Sequence, residues 1–242
     1  KKKAASLTYS TQQLGGDELT RAKDPNMIAA LAGKSAGVQI SKSASGLGGS
    51  AKVSIRGTRS ANEDGNNQPL YVIDGVPMLN STTESVSTVM GGKNDGVNRD
   101  AGDGISNLNP EDVESISILK GAPAAALYGS LAANGVILIT TKKGNSTGKR
   151  SIHFSTGLTF EKAFSLPQMQ NSYWVSDVID SWGEKEILEV HDNLNDFFRT
   201  GLTSMTSVSV SHGNENLQTY FSYANTTGRG IIEGNKLKKH NI

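Results

Sequence analysis

One short motif in this sequence has the residue types and spacing of a catalytic nucleophile. Gly33-Lys34-Ser35-Ala36-Gly37 matches the G-x-S-x-G pattern, in which a strand precedes the serine and a helix follows it. Here the helical pattern comes before the serine and the strand pattern comes after it. We therefore interpret Ser35 as a residue at the end of a helix.

The histidines give no stronger indication of chemistry. They are scattered along the chain, and no pair has the spacing of metal ligands: His153, His191, His212 and His240. We expect them to be side chains that face solvent or the lumen of a barrel. The sequence therefore predicts no catalytic site, no metal site, no cofactor and a protein that is not an enzyme.

Two loops could bind a small ligand, but each fits its motif poorly. Ser43 to Ala51 (SASGLGGSA) lacks the Lys-Ser/Thr ending of a phosphate-binding loop. Leu79 to Gly104 is long and polar, and we expect a solvated surface loop there. Four of its residues could supply oxygen ligands to calcium, although no glutamate stands at the expected spacing: Asp95, Asn98, Asp100 and Asp103.

Composition and hydropathy exclude several classes of protein. The 242-residue chain has 24 Lys plus Arg against 23 Asp plus Glu, so its charge gives no support to nucleic-acid binding. It has no cysteine, so disulfide bonds and thiolate metal sites are excluded. No run of about 18 apolar residues is present, so a membrane role would have to be carried by β-strands. Polar residues follow Lys1 to Lys3 where a signal peptide would be apolar, so we expect a mature or trimmed chain.

The run from Leu108 to Gly144 has the clearest pattern of secondary structure. Glycines separate its segments, and acidic residues follow the first helix cap. The predicted elements are a short helix capped at Asn109 and Pro110, a buried strand over Val113 to Leu119, a helix over Ala124 to Ala133 and a strand covered on both faces over Val136 to Thr141.

An earlier segment repeats part of this pattern. Asp24 and Pro25 predict a helix over Asn26 to Lys34, and Gly37 then leads into a strand over Val38 to Ser41. The later helix, glycine and strand have the same order. We therefore expect an α/β domain with two duplicated βαβ-like units that share one sheet.

The last third of the chain alternates polar and apolar residues. The apolar side chains of Ser151 to Glu161 fall on one face: Ile152, Phe154, Leu158 and Phe160. A tilted strand of this length can cross a bilayer. Thr206 to His212 and Leu217 to Thr227 continue the alternation around a tight turn. Between them, Phe164 to Thr200 fits either an external loop or, over Glu184 to Phe198, an amphipathic surface helix.

Three segments together resemble the plug domain of TonB-dependent outer-membrane transporters, and more narrowly the SusC-like branch found in Bacteroidetes. They are VSIRG (Val53 to Gly57), QPLYVIDGVP (Gln68 to Pro77) and the run from Leu108 to Gly144. The resemblance implies an α/β plug domain over residues 1–148, inside an antiparallel transmembrane β-barrel whose first strands and loops occupy residues 149–242. Four strands cannot close a barrel, so we expect the front end of a longer protein with about 22 strands.

The resemblance also implies a function, which is energised import of a nutrient across the cell outer membrane. In this family the plug gates the barrel lumen, and TonB, with ExbB and ExbD in the inner membrane, supplies the work. The other implied partners are a SusD-like surface lipoprotein, outer-membrane lipid and an imported oligosaccharide or peptide. Nucleic acid is not among them.

Four charged residues are candidates for the plug–barrel contacts that gate the lumen. Arg56 and Arg59 flank Gly57 in the family's I-R-G turn, and we expect them to face carboxylates of the barrel. Glu114 and Lys120 are secondary candidates. The alternative for Arg56 is a local role, in which it caps nearby backbone carbonyls.

Other hypotheses remain open at this point. A siderophore- or cobalamin-type TonB-dependent receptor, or a signal transducer with a further upstream domain, fits the same plug pattern. A soluble all-β or α+β binding module would place the C-terminal strands in a sandwich. The hypotheses differ in whether Ile152, Phe154 and Phe221 face outward or lie in an interior.

Overall fold

The computed structural model divides the chain into two parts. The residues that it describes are 11–21, 23–43, 46–57, 67–78, 102–145, 148–170, 172–173, 183–185 and 191–242. We call residues 11–145 the N-terminal part, and the strands between residues 151 and 241 the C-terminal sheet. Several sequence predictions lie outside the described residues: Arg59, the calcium candidates Asp95, Asn98 and Asp100, and most of the loop over Leu79 to Gly104.

The described N-terminal part contains a five-stranded sheet and a separate hairpin. The strands are β1 Thr11–Gly15, β2 Val38–Lys42, β3 Ala51–Ile55, β4 Leu70–Ile73, β5 Val76–Met78, β6 Val113–Leu119 and β7 Val136–Thr141. The order across the five-stranded sheet is β1-β6-β7-β4-β5. Among its pairs only β4 and β7 are parallel. β2 and β3 pair with each other as an antiparallel hairpin.

The described helices are short, and none is long and apolar enough to span a bilayer. The α-helices are α1 Gly16–Thr20, α2 Ala122–Tyr128 and α3 Asn193–Phe197. The 3-10 helices are Ala29–Leu31, Gly104–Asn107, Pro110–Asp112 and Gly129–Ala132. The predicted cap at Asn109 is confirmed, because its side chain accepts a hydrogen bond from the Glu111 N–H at 3.2 Å.

The helix predicted over Asn26 to Lys34 is much shorter in the structure. Only Ala29–Leu31 is helical, and it has 3-10 geometry. Asn26 Oδ1 accepts the Ile28 N–H at 2.9 Å, and Asp24 Oδ1 accepts the Asn26 N–H at the same distance. These side-chain bonds close tight turns that compete with an α-helix.

The helix predicted over Ala124 to Ala133 is also interrupted. α2 begins two residues earlier and ends at Tyr128, because Gly129 has a φ of +69° that no α-helix contains. The chain continues as a 3-10 helix. The predicted strand over Val136 to Thr141 is confirmed.

The two βαβ-like units do not share one sheet, and that expectation was wrong. β2 lies in the separate hairpin. Its apolar side chains Val38 and Ile40 are partly buried and pack against the main core. β7 is buried at most positions and takes the centre of the larger sheet. The second unit is not a parallel crossover either, since β6 and β7 are antiparallel.

Apolar side chains cover both faces of the five-stranded sheet. The main core lies between the sheet and the hairpin, and its largest buried members are Leu19, Met27, Ile28, Leu31, Tyr71, Ile105, Ile116, Ile118, Ile137 and Ile139. A smaller cluster lies under α2 on the other face: Leu70, Val72, Leu119, Ala124, Ala132 and Val136. Small alanines allow α2 to approach the strands closely.

The C-terminal sheet has four antiparallel strands in the order β11-β10-β9-β8. Their bounds are β8 Ser151–Glu161, β9 Gly201–Gly213, β10 Gln218–Arg229 and β11 Lys236–Asn241. The predicted first strand is confirmed with the same bounds. The sequence allowed an amphipathic helix over Glu184 to Phe198. Among the described residues of that segment, those of α3 are helical, and Lys185 forms a β-bridge with Tyr173.

The two faces of this sheet differ in chemistry. On β8 the predicted apolar face is exposed, with Ile152 at 74%, Phe154 at 66% and Phe160 at 69% of their full accessible areas. On β10, Phe221 is 60% exposed on the same side of the sheet. These side chains do not form the interior that a sandwich would require.

Replacing Gly135 by alanine should destabilise the N-terminal part more than replacing Gly129. Both glycines have positive φ, so both alanines carry backbone strain of about 1 kcal/mol. Only at Gly135 would the new Cβ lie 2.9 Å from Ile55 Cδ1 and 3.1 Å from Leu119 O. We expect a further loss of about 1–3 kcal/mol, measured as the urea midpoint of trypsin resistance in the full-length protein. Equal losses would contradict this packing.

Candidate functional site

The inward face of the C-terminal sheet packs against the N-terminal part, and this interface is the candidate functional site. Its buried side chains are small: Thr203, Ser207, Ala224 and Thr226. Because they are short, longer polar side chains from the N-terminal part reach the strands. Contacts of this kind occur on β8 and β10, and on β11 a side chain of the strand reaches the backbone of the N-terminal part.

An ion pair from the N-terminal part lies on β8. Lys23 Nζ is 2.9 Å from Glu111 Oε1, and the two side chains are only 19% and 13% exposed. Ser155 on β8 donates its hydroxyl hydrogen to Glu111 Oε1 at 3.0 Å, and Lys23 Nζ donates to Ser155 Oγ. The hydroxyl therefore bridges two charges in a site with little water, where such bonds are strong.

Gly157 provides the space that this ion pair needs. A Cβ atom at this position would lie 2.7 Å from Lys23 Cδ, which is closer than a packed side chain allows. The aliphatic stem of Lys23 therefore crosses β8 where the strand has no side chain. A glycine inside a strand commonly marks a close approach of this kind.

The next acidic residue, Asp112, contacts β10. Tyr220 donates its phenolic hydrogen to Asp112 Oδ1 at 2.9 Å. Asn109 Nδ2 donates to the other carboxylate oxygen at 3.0 Å, and the Lys142 N–H donates to the Asp112 carbonyl at 2.8 Å. The capped 3-10 helix Pro110–Asp112 thus holds its carboxylates toward the sheet.

Side chains of β11 donate to the backbone of the N-terminal part. Lys239 Nζ donates to the Ser106 carbonyl, and Asn241 Nδ2 donates to the carbonyl one residue later. On the same strand, Leu237 Cδ1 is 3.3 Å from the Cβ position of Gly48. The glycine-rich loop of the N-terminal part therefore packs against the sheet.

The residues considered for catalysis or metal binding have structural partners. Asp103 accepts the N–H groups of Ser106 and Ala51, at 2.6 Å and 3.0 Å, and so caps a 3-10 helix. Ser35 is buried and donates its hydroxyl hydrogen to Gln12 Oε1 at 2.9 Å. Within the described ranges, no group of three or more His, Asp or Glu could hold a metal ion.

Two of the predicted gating residues, Arg56 and Lys120, lie close together. Lys120 is buried, and its Nζ donates to the Ala36 carbonyl and to Gln12 Oε1, the latter at 3.4 Å. The Arg56 guanidinium lies 3.0 Å from the Cβ position of Gly121. Burial, and then the positive charge of Arg56, lower the pKa of Lys120 below its ordinary 10.5.

No described contact joins the other two predicted gating residues, Glu114 and Arg59, to this pair. Glu114 is exposed on β6, and Arg59 lies outside the described residues. The contacts described for Arg56 and Lys120 are within the N-terminal part. Their expected contact with carboxylates of a barrel stays a prediction.

The interface residues themselves are not among those predicted from the sequence. Glu111 and Asp112 follow Pro110, where acidic side chains are ordinary at the start of a helix. Lys23 belongs to no motif. One signal was available at Tyr220, because this large side chain falls on the small, polar face of β10.

The Lys23–Glu111 ion pair should contribute measurably to stability. A double-mutant cycle with Lys23→Gln and Glu111→Gln in the full-length protein should give a coupling of about 1–3 kcal/mol, because each single change leaves a poorly hydrated charge. Thermal denaturation measures it. The control is the Asp24–Lys42 pair, where Lys42 is 58% exposed and the coupling should be below about 1 kcal/mol. Equal couplings would contradict the role of burial.

Lys120 should make stability depend on alkaline pH. Its pKa is lower in the folded protein than in the unfolded chain, so stability rises as the pH increases from that lowered pKa toward 10.5. Arg56→Gln removes one cause of the shift and should reduce this rise. Thermal midpoints of the full-length protein measured across this pH range test the difference. An unchanged slope in Arg56→Gln would show that the two cations do not interact.

Comparison with known proteins identifies the family. The TonB-dependent Receptor Plug Domain model matches residues 3–136, which is more than half of the chain. Over 242 residues the chain is 31% identical to the TonB-dependent receptor SusC of Bacteroides thetaiotaomicron, covering 98% of this chain and 22% of SusC. A TonB-dependent receptor of Formosa agariphila is 31% identical over 167 residues, covering 68% of this chain and 14% of that receptor. The chain thus spans less than a quarter of these relatives.

Solved structures support the same fold. The RagAB peptide importer in its closed-closed state has a TM-score of 0.71 and 23% identity, covering 94% of this chain and 27% of that chain. Its open-open state has a TM-score of 0.68 and 22% identity, covering 96% and 27%. At these identities the likeness concerns the fold alone. This chain belongs to the TonB-dependent receptors of the outer membrane, is SusC-like among them, and contains their plug domain.

Proposed function

We propose that this chain is the front portion of a SusC-like transporter that imports a nutrient across the outer membrane. Residues 1–148 form its plug, and residues 149–242 begin an antiparallel barrel of about 22 strands. The observation that supports this proposal most is the two-sided C-terminal sheet. Its outward face carries exposed Ile152, Phe154 and Phe160, and its inward face makes polar contacts with the N-terminal part.

The imported nutrient, in this proposal, is an oligosaccharide or a peptide. Both classes follow from the resemblance to SusC-like transporters, and one neighbour in fold, RagAB, is described as a peptide importer. A SusD-like surface lipoprotein assembles with the transporter on the outside. TonB, with ExbB and ExbD, couples import to the proton gradient of the inner membrane.

Arg56, Arg59, Glu114 and Lys120 form the proposed gating contacts with the rest of the barrel. The proximity of Arg56 and Lys120 supports this role, because two cations in one partly buried place favour an acidic group from another element. This attraction would hold the plug in place, and disturbing the charges of the cluster would weaken it and release the plug. Glu114 is exposed on β6 and is available to a cation of the barrel.

The interface chemistry suits a domain that must be remodelled during transport. A hydrogen bond contributes about 1 kcal/mol between neutral groups and about 1.5–3 kcal/mol when one group is charged, so several of them hold a domain without making its movement prohibitive. The Asn241 bond to the Asn107 carbonyl is neutral, and the Tyr220–Asp112 and Lys239–Ser106 bonds each include one charged group. Such an interface can open locally.

Uptake by intact cells tests the proposed function. Cells that make the full-length protein and its SusD-like partner should accumulate labelled oligosaccharides or labelled peptides, and cells without the protein should not. A protonophore should stop this uptake. Arg56→Gln should lower it several-fold at unchanged outer-membrane abundance, while Arg150→Gln, an exposed cation at the start of the sheet, should not.

Two results would contradict the proposal. One is uptake that does not depend on the protein or on the proton gradient. The other is recovery of the full-length protein in the aqueous fraction of lysed cells.

A further inference from the structure

The outward face of β10 and β11 carries cations near one end of the sheet. Side-chain direction alternates along a strand, and Thr226 and Lys239 point inward, since the first is buried and the second bonds to the N-terminal part. Arg229, Lys236 and Lys238 have the opposite parity. All three are exposed and therefore project from the outward face.

The strand register places these cations beside the apolar row of β8 and β9. Arg229 is opposite Lys236 on one side and opposite Leu202 on the other. Leu202 is in turn opposite Phe160, which is 69% exposed. One row across the outward face therefore contains two apolar side chains followed by two cations, in the order Phe160, Leu202, Arg229 and Lys236.

This row lies at the end of the sheet that faces the cell exterior, a statement that rests on the proposed function. Residues 162–200 connect β8 to β9 at this end, whereas residues 214–217 form a tight turn at the other end. Outer-membrane barrels have long extracellular loops and short periplasmic turns. Arginine and lysine on the lipid face are very unfavourable at the bilayer midplane and are tolerated near its interfaces. The cations thus fit the level of the outer-leaflet headgroups.

A fourth cation completes a crevice at this level. The crevice has a volume of about 440 Å³ and is lined by Arg199, Arg229, Lys236 and Lys238. Arg199 is fixed in place, because its Nε donates to the Gly230 carbonyl at 3.0 Å and its Nη2 donates to the Ile232 carbonyl at 3.2 Å. A guanidinium has five N–H donors, so others remain for a ligand.

The charges of this crevice are not balanced by the described residues. Like charges directly opposite each other on neighbouring strands are destabilising, and Arg229 faces Lys236. The salt bridges found among the described residues are Lys23–Glu111 and Lys42–Asp24, and they include neither these cations nor Glu233 of the adjoining turn. An external anion would relieve the repulsion.

We infer that this crevice, formed by Arg199, Arg229, Lys236 and Lys238, binds the phosphate groups of an outer-leaflet glycolipid. The acyl chains of the lipid lie along the apolar face of β8 and β9, next to Phe160 and Leu202. Its phosphates accept hydrogen bonds from the two guanidinium groups and the two ammonium groups. The site combines a phosphate-binding cation cluster with an adjoining hydrocarbon-facing surface, which free phosphate would not use.

The full-length protein in lipid nanodiscs tests this inference. Binding of bisphosphorylated lipid A is measured by native mass spectrometry for the wild type and for the Arg229→Gln, Lys236→Gln, Lys238→Gln triple variant. The matched control carries Lys143→Gln, Lys149→Gln and Arg150→Gln, which remove the same charge near the other end of the C-terminal sheet. Lys143 belongs to the N-terminal part beside that end, and the other two residues directly precede β8. Each cation near a charged lipid surface contributes about fivefold to binding, so the triple variant should bind about 100-fold more weakly. The control should bind like the wild type.

The outcomes separate this inference from the proposed function. Equal binding by the triple variant and the wild type would overturn it, and so would full competition by millimolar inorganic phosphate, which indicates a soluble anion. Equal loss in the control variant would also overturn it, because the effect would then be one of net charge. Failure of the proteins to insert into membranes would instead count against the proposed function. Membrane insertion with weak wild-type binding would count against the lipid site alone.

Discussion

The structure depends on one packing relationship, in which the polar face of a β-sheet is covered by a separate folded domain. The small inward side chains of the C-terminal sheet cannot form a hydrophobic core by themselves. The N-terminal part covers them instead, with the Lys23–Glu111 pair on Ser155 and the Asp112–Tyr220 bond as its anchors. Because that face is satisfied by polar contacts, the apolar side chains of the other face are left outward. An exposed apolar sheet face of this kind marks a surface that another protein or a membrane covers, and in the proposed function lipid covers it.

Much of the local structure could be predicted from sequence. The strand Ser151–Glu161 has the predicted bounds, since strict alternation over eleven residues leaves little choice of period. The cap at Asn109 and the strand Val136–Thr141 also follow from local chemistry. The shared sheet and the helix over Asn26 to Lys34 were wrong for different reasons. Local side-chain hydrogen bonds of Asp24 and Asn26 close turns in place of the helix, whereas the pairing of β2 with β3 in a separate hairpin depends on tertiary neighbours.

The candidate site was less predictable than the fold. Sequence similarity pointed to Arg56 and Lys120, and the structure does bring these residues together. Sequence similarity gives no indication of the cluster formed by Lys23, Glu111 and Ser155, whose members are up to 132 positions apart. Each belongs to an ordinary local context. The folding of the N-terminal part brings Lys23 to Glu111, and the docking of that part on the sheet adds Ser155. Long-range polar contacts of this kind leave no periodic pattern in a sequence.

The central claim is that β8 has one face toward lipid and one toward the plug. Spin labels placed singly at positions 152 to 161 of the full-length protein, reconstituted in bilayers, test it most directly, with position 157 left out because Lys23 fills the space beside Gly157. We expect collisions with oxygen dissolved in lipid to rise at positions 152, 154, 158 and 160 and to fall at 153, 155 and 159, with little access of a water-soluble reagent to the first set. Uniform access of the water-soluble reagent along the strand would contradict it.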